Sequence, residues 1–411
     1  MRPLSTLVES RIARLSSPLA LEWPGGRAGH ASAPVRLTLR RSGLLPCLAF
    51  GRIGELADAY VRGDLEIDGD LSEVMAIAAE LVGDPVRMGH TTFANTLLHR
   101  LRSRWLHRPQ RDAEQVRFHY DLSDAFYALW LDPMRVYSCA YFASPDMTLG
   151  QAQEAKLELI CRKLQLRRGQ RLLDIGAGWG GLLLWAAKHH GVRATGITLS
   201  RDQHAHANRL IEQNGLSGQV EMRLMDYRDL PLSEPFDCVA SVGMLEHVGS
   251  AQLDTYCATL QRLLRPGGLV LNHGITAGGL HNSQLGAGMG DFIDKHIFPG
   301  GELVHVSRLA RHLGGAGLEL LDLENLRPHY ARTLWAWSDA LEHNLVSARA
   351  LTSEATVRAY RLYLAGCAMC FERGWLSIHQ LLAARPDGNP ETGSMRGAQS
   401  VYPFNRRHML A

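Results

Sequence analysis

The sequence has little net charge, no cysteine framework and no long apolar run, and each absence excludes a class of protein. The net charge of the 411 residues is only +3, so we expect no global polyanion-binding field and no nucleic-acid partner. The seven cysteines are scattered, an odd number without framework spacing, which favours a reducing compartment over structural disulfides. No run is long enough for a transmembrane helix, and MRPLSTLVESRIARL lacks the apolar core of a signal peptide. We therefore expect a cytoplasmic protein.

One pair of cysteines has the CxxC spacing of metal and redox sites. Cys367 and Cys370 lie in YRLYLAGCAMCFERG, whose apolar pattern is typical of a buried helix. Because no second pair completes a zinc site, packing is the favoured interpretation of Cys370, and we expect no metal.

Length and composition suit a soluble globular protein of two domains. Hydrophobic residues make up 46% of the chain and charged residues 21%, as in ordinary soluble globular proteins. A chain of 411 residues is also too long for one small core. Changes of pattern predict an N-terminal domain (1–90), a basic linker (91–117), a larger α/β domain (118–385) and a C-terminal tail (386–411).

The N-terminal domain has the pattern of a small α+β unit. VRLTLRR (35–41) alternates like a strand. Residues 54–81 predict two helices separated by a turn that is rich in glycine and aspartate.

The linker contains a basic amphipathic segment, NTLLHRLRSRWLHRPQR. Apolar residues and arginines recur at helical spacing on neighbouring faces; they are Leu98, Leu101, Trp105, Arg100, Arg104 and Arg108. A segment of this kind can lie on an anionic membrane surface. A solvated linker helix has the same pattern, so both interpretations stay open.

From residue 160 onward, short apolar strands alternate with helical patterns. The strand patterns are RLLDIG, VRATGITL, VEMRLMD, FDCVASVGM and GLVLNHGI. This alternation predicts a Rossmann-like, doubly wound parallel sheet with helices on both faces. Residues 276–306 are irregular and rich in glycine and histidine, so we expect them to build a substrate pocket. Two strong helices follow, around ARTLWAWSDALEHN and TVRAYRLYLAGCAMCF.

The first of these strands runs into a glycine-rich turn, LLDIGAGWGG (172–181). Gly176, Gly178 and Gly181 satisfy the dinucleotide-binding pattern, which alone is a weak signal. An NAD fold places an acidic residue at the end of the second strand to hold the ribose. Here that strand ends TGITLS, and the next acid, Asp202, lies at a helix start. The NAD interpretation is therefore weakened.

Asp174, just before the first glycine, indicates a different nucleotide. Its carboxylate can pair with the amino group of an amino-acid-bearing nucleoside, as expected of a D-x-G-x-G turn that binds S-adenosylmethionine (SAM). Asp226 ends the third strand and offers an acceptor for the adenine amino group, with Tyr227 as a flat wall; a helix cap is the alternative role of Asp226. The hydroxyls of Thr198 and Ser200 are candidate ribose partners.

Further motifs extend the pattern well beyond the nucleotide site. They are FHYDLSDAFYALWLDPMRVYSCAYF, LLDIGAGWGG, GITLSRDQ, MDYRDL, VASVGMLEHVG, LNHGI and HYARTLWAW. In these segments the chain resembles the cyclopropane-fatty-acyl-phospholipid synthases and their mycolic-acid relatives, over roughly residues 115–375. YSCAYF followed by GMLEHVG is far more specific than a glycine loop. The family usually has cysteine where this chain has Ala177, an exchange of small residues that leaves the turn intact.

The resemblance implies a class I SAM-dependent methyltransferase fold and a defined reaction. The cis double bond of a phospholipid acyl chain attacks the SAM methyl group, and the cation then loses a proton to a bound bicarbonate ion and closes a cyclopropane ring. The catalytic residues that it implies are Cys139, Glu246, His273, Ile275 (through its backbone) and Tyr330, with Cys367 as an indirect, pocket-lining member. The SAM-binding residues that it implies are Tyr137, Ser138, Asp174, Gly176, Gly178, Gly180, Thr198, Leu199, Gln203, Asp226, Tyr227 and Arg228.

Glu246 is the unusual member of the implied bicarbonate site, because the others can donate hydrogen bonds to an anion. To face an anion it must share a proton or orient a donor, so we hypothesise that its pKa is raised.

A lipid substrate implies contact with a membrane. The resemblance therefore favours an N-terminal domain that binds lipid, peripheral association with the inner face of an anionic bilayer, and a homodimer. Three alternatives stay open: methylation or methylenation of the acyl chain without ring closure, an NAD-dependent reductase, and a silent lipid-binding protein.

Overall fold

The protein contains two β-sheets, each covered by helices. The computed structural model describes residues 4–83, 85–86, 122–231, 234–280, 285–388 and 405–410. The predicted linker (91–117), with its basic amphipathic segment, lies outside these residues.

The N-terminal unit is a four-stranded sheet of order β2-β1-β3-β4 packed against helices. Its strands are β1 (Leu19–Trp23), β2 (Gly26–Gly29), β3 (Val35–Leu39) and β4 (Leu65–Asp68). Its helices are α1 (Leu4–Ile12), α2 (Leu45–Phe50), α3 (Ile53–Arg62) and α4 (Leu71–Val82). The predicted strand and both predicted helices are confirmed as β3, α3 and α4. The predicted turn between the helices contains β4, which pairs antiparallel with β3.

The larger sheet has seven strands in the order β10-β11-β9-β8-β5-β6-β7. They are β5 (Arg171–Ile175), β6 (Arg193–Thr198), β7 (Val220–Leu224), β8 (Phe236–Val242), β9 (Leu264–Ala277), β10 (Glu319–Asn325) and β11 (Leu376–Ala384). The five predicted strands are confirmed as β5 to β9, which pair in parallel. β10 and β11 were not predicted; β11 pairs antiparallel with β9 and with β10.

Helices cover both faces of the larger sheet. In chain order they are α5 (Asp124–Ala128), α6 (Leu149–Lys163), α7 (Gly181–His190), α8 (Arg201–Gln213), α9 (Leu245–Val248), α10 (Leu253–Leu263), α11 (Met289–His296), α12 (Val306–Gly315), α13 (Arg327–His343), α14 (Leu345–Leu351), α15 (Glu354–Glu372) and α16 (Arg407–Leu410). The two strong helices predicted near the C-terminal end are confirmed as α13 and α15. The stretch predicted to be irregular contains α11, which begins at a left-handed Gly288.

The strand order reverses beside β5, which lies between β8 and β6. At such a point the helices that follow the two neighbouring strands leave in opposite directions, so a crevice opens at the carboxyl ends of the strands. The glycine-rich turn follows β5, and the motif GMLEHVG directly follows β8 and contains α9. The fold thus places both motifs at one crevice.

The N-terminal unit shares its hydrophobic core with the larger unit. Residues of β1, β3, α3 and α4 belong to the same buried cluster as residues of α13 and α15. Polar contacts border this interface: Arg358 of α15 binds both carboxylate oxygens of Glu66, at 2.9 and 3.2 Å. Lys295 of α11 donates to Asp58 of α3 at 2.6 Å. The two predicted domains are therefore packed together as one folded body.

Two glycines let the backbones of the two units touch. The amide of Gly54 in α3 donates to the carbonyl of Ala287 at 3.0 Å, just before α11. A Cβ on Gly54 would lie 2.0 Å from the carbonyl oxygen of Gly288, closer than any real Cβ contact. Backbone atoms cannot rotate away as side chains can, so this crossing requires glycine.

We expect Gly54→Ala to destabilise the protein by about 1–3 kcal/mol, the usual range for overpacking a tight contact. Alanine has the higher intrinsic helix propensity, so the loss would report the clash rather than the helix. Urea unfolding measures it, with Gly43→Ala as the control because a Cβ there meets nothing within 4 Å. Equal stability of the two variants would show that the crossing is not tight in solution.

No helix among the described residues is long and apolar enough to span a bilayer. In the predicted tail (386–411), the described residues 405–410 contact the larger unit. Arg406 donates to the carbonyl of Leu321 at 2.7 Å, and Met409 packs against a buried cluster.

Candidate active site

The glycine-rich turn connects β5 to α7 in a conformation that requires glycine. Gly176, Gly178 and Gly180 have φ angles of 77°, 55° and 90°, in the left-handed region that other residues rarely adopt. The amides of Gly176 and Ala177 donate to the carbonyl of Ile197 on β6, at 3.1 and 3.0 Å. These bonds fix the turn against the neighbouring strand and leave its outer edge open to a cavity.

This first cavity, the nucleotide cavity, lies at the carboxyl ends of β5, β6 and β7. Apart from Gly180, every SAM-binding residue implied by the resemblance lines it: Tyr137, Ser138, Asp174, Gly176, Gly178, Thr198, Leu199, Gln203, Asp226, Tyr227 and Arg228. Gly180 is instead the N-cap of α7, and a Cβ there would lie 3.2 Å from Ala207. Its place is at a close helix contact beside the cavity. Ser200 caps α8 by accepting from the amide of Gln203, and does not line the cavity.

Asp174 and Lys156 give the nucleotide cavity a buried carboxyl and a buried ammonium. Burial raises the pKa of the Asp174 carboxyl to about 7, and the nearby Lys156 opposes the rise. Asp174 Oδ1 is buried and has no hydrogen-bond partner among the described residues. The Lys156 ammonium donates to Ser138 Oγ at 2.7 Å, and burial lowers its pKa to about 8. A ligand with its own ammonium and carboxylate, such as the methionine part of SAM, would match this pair.

The adenine side of the cavity is organised by Asp226. Its carboxylate accepts from the Arg228 backbone amide at 2.9 Å, so it caps the short 3₁₀ helix Tyr227–Asp229. It also accepts from the Arg228 guanidinium at 2.8 and 2.6 Å, and that guanidinium lies 5.3 Å from the centre of the Tyr227 ring. The capping role left open by the sequence is present. An adenine amino group would have to share this carboxylate with Arg228.

A second cavity, the catalytic cavity, adjoins the first. It is lined by every residue that the resemblance implies for catalysis: Cys139, Glu246, His273, Ile275, Tyr330 and Cys367. Glu246 comes from α9, His273 and Ile275 from β9, Tyr330 from α13 and Cys367 from α15. Residues far apart in the chain are thus brought to one chamber.

Glu246 combines one fixed and one unsatisfied oxygen. Its Oε1 accepts from the backbone amide of Ile275 at 2.6 Å, whereas Oε2 is buried with no partner in the part of the chain that the structure describes. Burial raises the pKa of this carboxyl to about 7, and the amide of Ile275 opposes the rise. The hypothesis of a raised pKa therefore agrees with the environment of Glu246.

His273 is a neutral donor that points into the catalytic cavity. Its ring is completely buried, and burial lowers its pKa well below the ordinary value. Gln380 Nε2 of β11 donates to His273 Nδ1 at 3.1 Å, which leaves the ring proton on Nε2. Nε2 has no partner among residues 4–83, 85–86, 122–231, 234–280, 285–388 and 405–410. The histidine therefore presents an N–H group to whatever occupies the cavity.

The two cavity cysteines are protonated thiols. Burial raises the pKa of Cys139 well above its ordinary value, and its thiol donates to the carbonyl of Ala140 at 3.2 Å. Burial also raises the pKa of Cys367, to about 12. Because the thiolate is the nucleophile, neither environment favours nucleophilic catalysis. Cys370 is buried among apolar residues, in agreement with the packing interpretation. The described residues contain no cluster suited to a metal ion.

Aromatic rings pack around Tyr137, which lines both cavities. Tyr137 donates to the Tyr363 hydroxyl at 3.0 Å. Its ring lies 5.2 to 5.7 Å, centre to centre, from those of Tyr127, Trp130 and Trp337. The negative faces of aromatic rings attract a cation. Of these four rings only that of Tyr137 lines the cavities, so the motif FHYDLSDAFYALWLDPMRVYSCAYF supplies one electron-rich face there.

The two cavities meet at four residues that line both: Tyr137, Ser138, Gly243 and His247. A group transferred from one cavity to the other has to pass this junction. The arrangement suits the transfer of a small group from a bound nucleoside to an acceptor in the catalytic cavity.

Two buried polar residues of the site, Lys156 and Gln380, were not predicted. Lys156 interrupts the apolar pattern of α6, where Ala152 and Ile160 lie four residues away on the same buried face. A lysine on a buried helix face was a usable signal. Gln380 had no such signal, because its strand β11 is buried at every position and shows no alternation.

The sheet order, the glycine turn with its buried aspartate and the solved structures that resemble the chain define a class I SAM-dependent methyltransferase. Residues 107–381 match the family model for mycolic acid cyclopropane synthetase, and the chain belongs to this family. SAM is accordingly its methyl donor, and the family consists of SAM-dependent enzymes that modify lipids.

Its relatives include enzymes named for two related reactions. The chain is 44% identical over 374 residues to a probable fatty acid methyltransferase of Pseudomonas putida, and the aligned region covers 90% of this chain and 93% of the relative. It is 38% identical over 275 residues to cyclopropane mycolic acid synthase 1 of Mycobacterium tuberculosis, covering 64% of this chain and 94% of the relative. The solved structure of mycolic acid cyclopropane synthase CmaA1, complexed with SAH and CTAB, matches with a TM-score of 0.63 at 36% identity, over 66% of this chain and 98% of that one.

Proposed function

We propose that this enzyme transfers a methylene group from SAM to the cis double bond of an unsaturated phospholipid acyl chain, closing a cyclopropane ring with bound bicarbonate as base. The observation that carries the proposal is the junction of the two cavities. A nucleotide cavity with paired charges opens, at Tyr137 and Ser138, into a chamber that contains unsatisfied groups of Glu246 and His273.

When SAM is bound, it supplies an electrophilic methyl group on a sulfonium sulfur. An alkene is a weak nucleophile, so the protein must align it with that methyl group and exclude water. Burial of the junction residue Ser138, with the partly buried Tyr137 packed against the core beside it, supports exclusion of water. The ring of Tyr137, which lines both cavities, would stabilise the cation that develops on the acyl chain after attack.

The donors and acceptors of the catalytic cavity fit a bicarbonate ion. Such an ion both accepts and donates hydrogen bonds. His273 Nε2–H would donate to one of its oxygens, and the unsatisfied Glu246 Oε2 would accept its hydroxyl proton. The Tyr330 hydroxyl would be a further donor, the Cys139 thiol would become one by turning its proton away from the Ala140 carbonyl, and the amide of Ile275 holds Glu246 in place. When bound there, bicarbonate would supply a base for the proton lost on ring closure.

A second candidate is methylation or methylenation of the acyl chain without ring closure. It is favoured by the relative from Pseudomonas putida, which is named as a probable fatty acid methyltransferase. The two reactions share every step up to the cation and differ in whether the electron pair left by proton loss closes a ring or forms a new double bond. Retention of His273 and Glu246 with unsatisfied polar groups favours ring closure, because both could hold the base.

The two remaining alternatives are weaker. β6 ends at Thr198, whose hydroxyl donates to Gln203 at 2.7 Å, so no carboxylate stands at that strand end to bind an NAD ribose. A silent lipid-binding protein would have no chemical reason to retain Glu246 and His273 with buried, unsatisfied atoms, each of which costs stability.

A phospholipid substrate also requires the enzyme to reach a membrane. We propose that the protein is cytoplasmic, associates peripherally with the inner face of an anionic membrane and acts as a homodimer. The basic segment between the two units, with Arg100, Arg104 and Arg108, is the proposed electrostatic contact.

The test is to incubate the purified protein with SAM, bicarbonate and vesicles of an unsaturated phospholipid, and to analyse the acyl chains by mass spectrometry and proton NMR. We expect a gain of one CH2 with high-field ring protons, and a fall in turnover when bicarbonate is depleted. Vesicles of a saturated phospholipid are the control. The same mass gain with a branched methyl or exomethylene signal would establish the second candidate, and no gain with SAM bound would contradict both.

A further inference from the structure

A third cavity, the distal cavity, lies between the N-terminal unit and the larger unit. One wall is formed by β3, β4, α3 and α4, and the other by α11 and α15. Including its mouth, the cavity spans about 930 Å³, within the range of sites that bind small organic ligands. None of the proposed catalytic residues except Cys367 lines it.

The wall of the distal cavity is apolar throughout. Its lining consists of aliphatic, methionine, cysteine and aromatic side chains together with two glycines, and none of these described residues is charged. A charged or zwitterionic group moved into such surroundings would lose its hydration without compensating hydrogen bonds. The cavity therefore suits a hydrocarbon segment and excludes a lipid head group.

The distal cavity adjoins the catalytic cavity. Four residues line both: Leu285, Ile293, Tyr363 and Cys367. Cys367 and Leu285 are partly exposed although they pack against the shared core, as expected of side chains that border internal space. Together with the junction at Tyr137, this gives three chambers in a row, with the proposed site of chemistry in the middle.

A glycine in the middle of α15 keeps part of the distal cavity open. Glycine in a helix interior costs about 1 kcal/mol relative to alanine and is usually retained for a close contact. A Cβ on Gly366 would meet only Met75 Sδ, at the ordinary contact distance of 3.9 Å. The glycine therefore leaves space unfilled instead of permitting a close approach.

We propose that the distal cavity holds the methyl-terminal segment of the acyl chain whose double bond lies in the catalytic cavity. This inference rests on the proposed function and adds to it a determinant of substrate choice. The N-terminal unit then affects the reaction by contacting the methyl-terminal part of the acyl chain. The depth of the cavity beyond Tyr363 and Cys367 limits how many carbons can follow the double bond.

The test fills the cavity from α15. Gly366→Phe adds a large side chain at the open position, and Gly366→Ala is the matched control, with the gain in helix propensity but little added volume. The substrates are phospholipids whose cis double bond lies at a fixed distance from the carboxyl carbon and whose chains differ only in the carbons beyond it. Turnover by the intact protein and the dissociation constant of SAM are measured for each.

We expect Gly366→Phe to convert the shortest chains as the wild type does and to lose about 10- to 100-fold in kcat/KM on the longest. Each CH2 displaced from an apolar site weakens binding about fourfold. SAM binding should not change. Ala57→Phe, on the α3 side of the same cavity, should shift the length limit in the same direction.

A uniform loss for all chain lengths in both Gly366→Phe and Ala57→Phe, with SAM binding unchanged, would overturn the inference, because a filled cavity would then not select by the length beyond the double bond. In a second series of substrates, whose chains differ only between the carboxyl carbon and the double bond, a loss that grows with that length would overturn it as well. Binding of a phospholipid with a fluorescent polyene at its methyl end gives a readout without turnover. If the wild type forms no product but binds this probe, and Gly366→Phe does not, the proposed function fails while the distal site stands; equal binding by both overturns the site.

Discussion

Replacing Asp174 with asparagine is expected to weaken SAM binding by two to three orders of magnitude. The carboxyl group is buried at the carboxyl end of β5, and its Oδ1 is unsatisfied in the described structure. An asparagine has nearly the same shape but no charge for an ammonium group, and loss of one partner of a buried pair costs about 3–5 kcal/mol. Isothermal titration with SAM and with S-adenosylhomocysteine measures the effect.

Asp237→Asn is the matched control for this change. Asp237 lies near the start of the neighbouring strand β8, at the amino ends of the parallel strands and away from the nucleotide cavity. Its carboxylate accepts from the Arg265 guanidinium and from the backbone amide of Arg171. The control should bind SAM as the wild type does. Equal SAM affinity of Asp174→Asn and the wild type would remove Asp174 from the nucleotide site.

Asp174→Asn is also expected to stabilise the protein in the absence of SAM at pH 8. The folded-state pKa is raised from 3.8 to about 7, so between these values the folded state binds more protons than the unfolded state. Wild-type stability therefore falls as pH rises through this window, by at most about 4 kcal/mol. The variant lacks the titration, so its advantage in urea unfolding should be present at pH 8 and small at pH 4.

Replacing Glu246 with glutamine is expected to reduce turnover by at least about a hundredfold while SAM binding stays unchanged. Glutamine Oε1 can still accept from the amide of Ile275, so the local fold is kept. The amide cannot take a proton from bicarbonate, and loss of a general acid or base typically costs 10²–10⁴ in rate. Product formation on unsaturated phospholipid vesicles, over a range of bicarbonate concentrations, measures the effect.

The pH dependence gives a second signature of Glu246. Because burial raises the pKa of its carboxyl to about 7, wild-type turnover should rise as pH rises through 7, where the carboxylate becomes available. Glu246→Gln should lack this rise. Glu302→Gln is the control, since that side chain binds Ser250 outside the cavities. Full turnover with normal bicarbonate dependence in Glu246→Gln would contradict the proposed role.

The parallel part of the fold could be predicted because its signals are local. β5 to β9 are apolar runs separated by helical patterns, and the turn at Gly176 and Gly178 has the residues that its φ angles require. β10 and β11 could not, because β11 follows three helices and joins the sheet by antiparallel pairing with β9 and β10 that no local pattern specifies. β4 was not predicted because it lies in a short segment whose glycine and aspartate residues are typical of a turn.

The candidate site shows the same division. Sequence motifs identified the residues that line the site, but not the residues that form hydrogen bonds with them. Nothing in LSIHQLLAA indicates that Gln380 lies opposite His273 and fixes its tautomer. The double engagement of Asp226 by Arg228 depends on the conformation of one short turn. The distal cavity was also invisible, because it is the space left between two units rather than a property of either one.

The shared core of the two units has a consequence for synthesis of the chain. The N-terminal unit is complete at residue 82, but the helix α15 that covers its apolar wall begins at residue 354. At about 5–20 residues per second, a ribosome needs tens of seconds to make the intervening segment. Throughout that time the apolar surface of the nascent N-terminal unit that α15 later covers is exposed to solvent. A bound chaperone, or an early hold on the membrane, would shield this surface from aggregation until α15 arrives.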